Sequence, residues 1–267
     1  MKSEIFYTNP NLSIVLPGPC QAHCQFCFWY EKPTDKEWLK KLEYTLDNLP
    51  ACFEQISITG GEPTLSKYLV PTIEAIAARR KRYPKVVLTT NGINLGKYLD
   101  IVNKNVDHVN ISRHHWLQEE NEKVFKTKNI PKDKDLIIYA EALLHKLTFN
   151  CVIKKMTVKE MFQFLGYAHD IGVSNVCFRQ EHGSLEPVAI EKHLIKNYKK
   201  TGDGGCPVCR GSYFDVPVHR SMMNVGIKYS VLEPKDVIDG IYELVFHSDG
   251  KLTADWEANI EIKLIKE

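Results

Sequence analysis

The chain has 267 residues, 43% hydrophobic and 25% charged, with a formal net charge of +2. That length suits one large α/β domain, or one domain with a small appendage. The near-neutral balance gives no electrostatic case for nucleic acid or a membrane surface, and no apolar run approaches the ~20 residues of a membrane helix. The first ten residues carry no long apolar stretch, so no secretory signal is read and a cytoplasmic location is expected. Eight cysteines, clustered in a chain of this size, point to metal binding in a reducing compartment rather than to disulfides.

Apolar runs and helical stretches alternate along the chain. Residues 12–16 read as a strand, broken by Pro17, Gly18 and Pro19. Residues 35–49 have helical spacing, with Asp35 as a candidate cap. Strands are expected at 56–59, 86–89, 106–111, 148–153 and 175–178, and helices at 68–83, 95–102, 136–145 and 158–171, the last closed by Gly172. The basic run Arg79, Arg80, Lys81 and Arg82 reads as the solvated end of a helix, and 116–131 as a polar loop with a short helix. Six strand-led units predict a parallel sheet with crossover helices. Beyond Gly183 the pattern changes. A helix is expected at 188–200 and a flexible stretch at 202–205. Two apolar runs, 242–247 and 251–256, flank Asp249-Gly250 and read as a hairpin that could cover an open side of the fold or stand as an exposed edge.

The chemistry concentrates just past the first strand. Cys20, Cys24 and Cys27 have the spacing C-x3-C-x2-C. A cubane iron–sulfur cluster normally takes four thiolates, so three leave one iron open to a small chelating ligand. Spacing alone leaves a structural zinc loop, or unrelated surface cysteines, as alternatives. The second strand ends on Gly60-Gly61-Glu62-Pro63. Two glycines admit close backbone approach, and peptide groups with a carboxylate can accept hydrogen bonds from an ammonium.

Together these segments resemble the signature of the radical S-adenosylmethionine (SAM) superfamily: the cysteine triad, with aromatic Phe26 before its third member, and the glycine-rich loop. Thr89-Thr90-Asn91-Gly92 and Asn150-Cys151-Val152 resemble the molybdenum-cofactor cyclase branch of that superfamily. The resemblance covers residues 12–183. It implies a partial (βα)6 barrel open on one side, over residues 1–183, with 184–267 as a C-terminal appendage containing a β-hairpin. It implies a 4Fe-4S cluster on Cys20, Cys24 and Cys27, and SAM held by Phe26, Gly60, Gly61, Glu62, Pro63, Asn91, Ser112, Asn150 and Arg179. It further implies a reduced flavodoxin or ferredoxin-type electron donor and hydrogen abstraction by a 5'-deoxyadenosyl radical. A nucleotide or other small-molecule substrate follows from the same resemblance. A glycyl-radical activase working on a protein partner, or a non-catalytic zinc-binding module, are the other readings.

Three further features lie outside that core. Arg113, His114 and His115, followed by Trp116, read either as a catalytic, substrate-facing patch or as a surface loop with a packed Trp. Cys206 and Cys209 form a C-x2-C pair, read as a second metal site with histidines such as His182 or His219, or as a structural or redox pair. Cys52, Cys151 and Cys177 lie in apolar segments and read as core.

Overall fold

The computed structural model describes residues 6–27, 29, 33–50, 52–53, 55–153, 155–181, 189–204, 211–229, 241–254, 256, 261–262 and 264. The first unit is β1 (Phe6–Leu16), α1 (Trp38–Asn48), β2 (Gln55–Gly60) and α2 (Leu69–Ala77). Then come β3 (Lys85–Thr90), α3 (Leu99–Asn105), β4 (His108–Ser112), α4 (Gln118–Phe125) and α5 (Asp133–Leu143). β5 (Leu147–Ile153), α6 (Val158–Ile171) and β6 (Asn175–Gln180) complete the series anticipated from sequence. The C-terminal part holds α7 (Ala189–Asn197), β7 (Lys200–Gly204), β8 (Gly211–Val218), β9 (Ser221–Lys228), β10 (Ile241–Phe246) and β11 (Leu252–Thr253).

All eleven strands join one sheet, in the order β11-β10-β1-β2-β3-β4-β5-β6-β9-β8-β7. Every pairing from β10 through to β9 is parallel. The parallel core therefore has two more strands than the six read from sequence, one added at each edge. The 242–247 and 251–256 runs do form an antiparallel pair, β10 with β11, turning through Gly250 at φ +79°. β10 also runs parallel to β1, so the hairpin extends the sheet rather than standing apart.

Three elements differ from the sequence expectation. α2 stops at Ala77, and residues 78–82 continue as turns. Arg79 and Arg80 are not simply solvated there: Arg79 forks onto Asp47, with Nε to Oδ1 at 2.6 Å, and Arg80 pairs with Asp107. Residues 200–204 form a strand against β8 instead of a flexible link. The β8–β9 hairpin was invisible in the sequence for two reasons. Pro217 argues against a strand, yet β7 reaches only Phe214, so β8 is an edge at Pro217 and loses no ladder bond. The turn places His219 at φ +52° where glycine or asparagine would have signalled it.

Side chains alternate across the sheet, so register assigns each residue to a face. Leu12, Ile56, Val86, Val109, Leu147, Val176, Val225 and Leu244 belong to one face with Ile14, Ile58, Leu88, Ile111, Phe149, Phe178, Ile227 and Phe246, and all are at most 1% exposed. Helices cover this face. Trp38 of α1 is fully buried and its Nε1 donates to the carbonyl of His247 at 2.8 Å, tying α1 to the end of β10. The other face is concave and polar: Asn11, Ser13, Gln55, Ser57, Thr89, Asn110, Ser112, Thr148, Asn150 and Arg179 lie on it in register. A parallel sheet buried on both faces would carry apolar residues on both. The polar face marks an open cleft, as expected for a barrel that does not close.

Candidate active site

The C-terminal strand ends converge on one edge, where β/α barrels place their chemistry. β1 delivers Cys20, Cys24 and Cys27 in the loop that follows it; Cys20 and Cys24 are partly buried and Cys27 is exposed. Burial, reinforced by Cys27 and Cys20, pushes the Cys24 thiol up to about 12, and burial also raises Cys20. The thiols are therefore close enough to repel as thiolates. They are not gathered tightly enough for one small ion: among the described residues the only three ligand atoms within 4.8 Å of one another belong to His169, Asp170 and His219, at the opposite end of the sheet. Zinc, with Zn–S near 2.3 Å, needs sulfurs within ~4 Å of each other. A wider donor set of three soft thiols fits a multi-iron cluster better.

The glycine-rich loop is fastened to the cysteine loop by backbone contacts. The Glu62 N–H donates to the carbonyl of Pro19 at 3.1 Å, and Ser66 Oγ to that of Pro17 at 2.5 Å. Both glycines are required by space. A Cβ on Gly60 (φ +148°) would sit 2.8 Å from the Leu16 carbonyl oxygen, and one on Gly61 would sit 2.8 Å from the Trp29 ring. Pro63 is buried and opens a single 3-10 turn.

Glu62 is only 2% exposed, and its carboxylate is already engaged. Oε1 accepts from the Thr64 N–H at 2.9 Å, from Thr64 Oγ1 at 2.7 Å and from Thr90 Oγ1; Oε2 accepts from the Asn91 N–H at 2.7 Å. Burial raises its pKa, against the lowering pull of those donors. Glu62 is thus the knot between the ends of β2 and β3. Asn91 passes the link onward, exchanging hydrogen bonds with Gln21 at 3.0 and 3.2 Å and lying 4.0 Å from Cys20 Sγ.

At the end of β4 the structure separates residues that sequence grouped. Ser112 faces the cleft, directly opposite Asn150 on β5. Arg113, one residue on, points into the helix layer: it is 2% exposed, bonds Gln118 at 2.8 Å and lies over the Tyr167 ring at 5.1 Å. It does not reach the cleft, because alternation sends it to the other face. His114 is also corrected from catalyst to pin. It is buried, its Nδ1 accepts from the Val152 N–H at 3.1 Å, and its ring packs against Phe26 and Phe125, each at 4.9 Å. Burial beside the Arg113 charge drives its pKa down to about 3, so it cannot shuttle protons near neutrality. His115 stacks on Trp116 at 3.9 Å and lines an open groove of about 430 Å³ with Glu120, Thr157 and Glu160. Phe26, by contrast, is set by His114 at the base of the cysteine loop.

His114 carries a testable consequence. Its folded-state pKa lies below the ordinary 6.5, so the unfolded chain takes up a proton that the folded chain refuses. Its stabilising contribution is complete above pH 6.5 and is lost as pH falls, by up to ~1.4 kcal/mol per pH unit. Urea unfolding of the apoprotein from pH 7 to 4 should therefore show a shallower acid loss in His114→Gln, which keeps an acceptor and cannot titrate. Equal slopes in the two proteins would contradict this.

Cys151 is buried in the helix-side core, as expected; Cys177 is buried as well, but on the concave face in line with Arg179. Cys206, Cys209 and His182 lie outside the described residues. Arg179 stands at the C-terminal end of β6 on the concave face, opposite Lys228 of β9. Sequence reading missed Lys228 because β9 itself went unseen.

Comparison with known proteins settles the family. Residues 14–180 match the family model of the radical SAM superfamily. The chain belongs to that superfamily. Its members are enzymes that carry a 4Fe-4S cluster and use SAM, generally with a reduced electron donor. Sequence likeness falls on the cyclase branch. The GTP 3',8-cyclase of Streptomyces coelicolor is 33% identical over 112 residues, covering 38% of this chain and 32% of that protein. A probable GTP 3',8-cyclase of Saccharolobus islandicus is 26% identical over 196 residues, covering 70% and 61%. The chain thus spans less than two thirds of these relatives. Among solved structures, Streptococcus suis SuiB bound to the precursor peptide SuiA superposes with a TM-score of 0.67 at 13% identity, covering 94% of this chain and 60% of that one. This likeness shows the radical SAM fold. No helix among the described residues is long and apolar enough to cross a membrane.

Proposed function

We propose that this chain is a radical SAM enzyme that binds its cluster through Cys20, Cys24 and Cys27 and generates a substrate radical in the polar cleft. When bound, the reduced cluster and SAM supply cleavage of the sulfonium to methionine and a 5'-deoxyadenosyl radical, which removes a hydrogen atom from substrate. The chain's own residues position and enclose that chemistry. The backbone at Gly60 and Gly61 offers the close approach that the SAM ammonium needs, and the buried Glu62 knot holds the loop in place. Asn91 orients the Cys20 side of the loop, while Phe26, Pro63, Ser112 and Asn150 complete the SAM surroundings; Arg179, at the end of β6, stands farthest along the sheet of the residues the resemblance implies. Residues 1–183 serve as the cofactor-binding barrel and 184–267 as its appendage. A flavodoxin or ferredoxin-type donor in the cytoplasm supplies the electron. A nucleotide or other small metabolite is the substrate class that the cyclase likeness favours, and the polar concave wall suits such a molecule.

One observation carries this reading: the thiol loop and the glycine-rich loop, adjacent strand ends, are hydrogen-bonded to each other at the mouth of a polar cleft. The test is anaerobic. Protein reconstituted with iron and sulfide, then given dithionite and SAM, should yield 5'-deoxyadenosine by chromatography. The triple variant with alanine at Cys20, Cys24 and Cys27 should yield none. A protein that binds zinc in place of an iron cluster and forms no 5'-deoxyadenosine would sink the proposal.

A further inference from the structure

The concave wall ends on two cations that the SAM chemistry does not require to stand together. Arg179 is the penultimate residue of β6 and Lys228 the last of β9; the strands are parallel, and the two residues are directly opposite each other. Opposed residues on neighbouring strands share a face and sit roughly 4.8 Å apart at the backbone. The face is the concave one, since Phe178 and Ile227, the registered pair just before this one, point to the opposite face and are buried beneath the helices. Both cations therefore look into the cleft at its active end.

The surroundings hold Lys228 in place without neutralising it. Tyr213 of β8 lies opposite Gly226 of β9, and a Cβ on Gly226 would fall 2.8 Å from the Tyr213 ring. Glycine at that position lets the ring lie across β9, where it carries Lys228 Nζ 5.9 Å from its centroid. Cys177, next along on the same face, is a buried thiol and contributes no negative charge while protonated. Several basic residues of this fold have acidic partners, among them Lys41 with Asp35, Arg79 with Asp47, Arg80 with Asp107 and Lys200 with Asp203. Among the described residues neither Arg179 nor Lys228 has one. Like charges directly opposite each other are destabilising, so an uncompensated pair here favours an anion between them.

The pair stands apart from the loops proposed to hold the cluster and SAM: the glycine-rich loop at the end of β2 is bonded to the cysteine loop, whereas β6 and β9 stand four and five strands along the sheet from β2. β9 also lies beyond residues 14–180, the part shared with the superfamily at large. We infer that Arg179 and Lys228, with Tyr213 beneath, bind the carboxylate or phosphate of the substrate and aim the rest of it at the cofactor end of the cleft. This rests on the radical SAM reading above, and it narrows the substrate to an anionic small molecule.

The test uses the full chain, cluster-loaded and saturated with SAM under anaerobic conditions. Inorganic pyrophosphate and malonate are titrated separately by calorimetry. The wild-type chain should bind at least one saturably, and the stronger of the two identifies phosphate or carboxylate as the natural group. Lys228→Met keeps the length of the side chain and removes the charge. It should weaken that binding at least tenfold, or ~1.4 kcal/mol, while Lys228→Arg retains it. Circular dichroism checks folding, and Lys228→Gln takes the place of the methionine variant if that one misfolds. Three results would overturn the inference: no saturable binding of either anion by the wild type, equal affinity in wild type and Lys228→Met, or loss of SAM affinity in step with loss of anion affinity. Failure of the parent reading looks different. It is an absence of cluster loading and of 5'-deoxyadenosine in the wild type, read by absorbance and chromatography, and the anion titration of the purified chain still reports on Lys228.

Discussion

Cys24→Ala will abolish cluster assembly and SAM cleavage while leaving the fold intact. Cys24 is one of three thiols at the mouth of the cleft, and its loss leaves two where an open-site cubane needs three. It lies in a loop outside the sheet core, so the cost to folding is small. Its environment adds a second, graded expectation. Burial and the neighbouring Cys27 and Cys20 raise the Cys24 thiol to about 12, and Cys20 is raised as well. At neutral pH these thiols are protonated in the apoprotein, and iron must displace the protons. Cluster loading of the wild type should therefore strengthen as pH rises from 7 to 9, with proton release on assembly. Iron and sulfide content with the visible absorbance of the cluster measures the first effect, and a pH series of reconstitutions the second. Full 5'-deoxyadenosine formation by Cys24→Ala would remove the triad from the mechanism.

Substitution of Glu62 should affect both SAM binding and stability, because its carboxylate is a buried knot rather than a free ligand. Four protein donors converge on it, from Thr64, Thr90 and Asn91. Glu62→Ala strands those donors in a buried site, at an expected cost of about 3–5 kcal/mol. Glu62→Gln is subtler. An amide oxygen can keep the Thr64 and Thr90 contacts, but its NH2 then meets the Asn91 N–H donor to donor. Asn91 is displaced, and with it the contacts to Gln21 and Cys20. The glutamine variant should unfold at a higher urea concentration than the alanine one, yet bind SAM at least tenfold more weakly than wild type, or ~1.4 kcal/mol. Calorimetric titration of SAM into cluster-loaded proteins, beside urea unfolding of the same variants, separates the two effects. Wild-type SAM affinity in Glu62→Ala would exclude any role for this loop.

Much of this protein is carried by local pattern. Period-two apolar runs, helical spacing and breakers such as Gly60-Gly61 and Gly172 depend on nearby residues alone, so six βα units and their order were legible. The cysteine triad was legible for the same reason, since its three donors fall within eight consecutive residues. The Asp249-Gly250 turn likewise announced β10 and β11.

What stayed hidden depends on which strands become neighbours. β8 and β9 were masked by Pro217 and by a turn built on His219, and their place beside β6 is set by pairings across some fifty residues of chain, Asn175 with Asn224 through Arg179 with Lys228. The same long-range register decides direction. Adjacent letters Ser112, Arg113 and His114 look like one patch, but pleating turns Ser112 to the cleft, Arg113 to the helices and His114 into a buried aromatic nest. Glu62 had the residue type of a ligand, and only the arrival of Thr90 and Asn91 from the next strand made it a knot. Residue types and short spacings determine which chemistry is available. The burial, charge compensation and facing that assign each residue its task arise when separate strands share a sheet, because those quantities belong to pairs of residues that no short stretch of sequence contains.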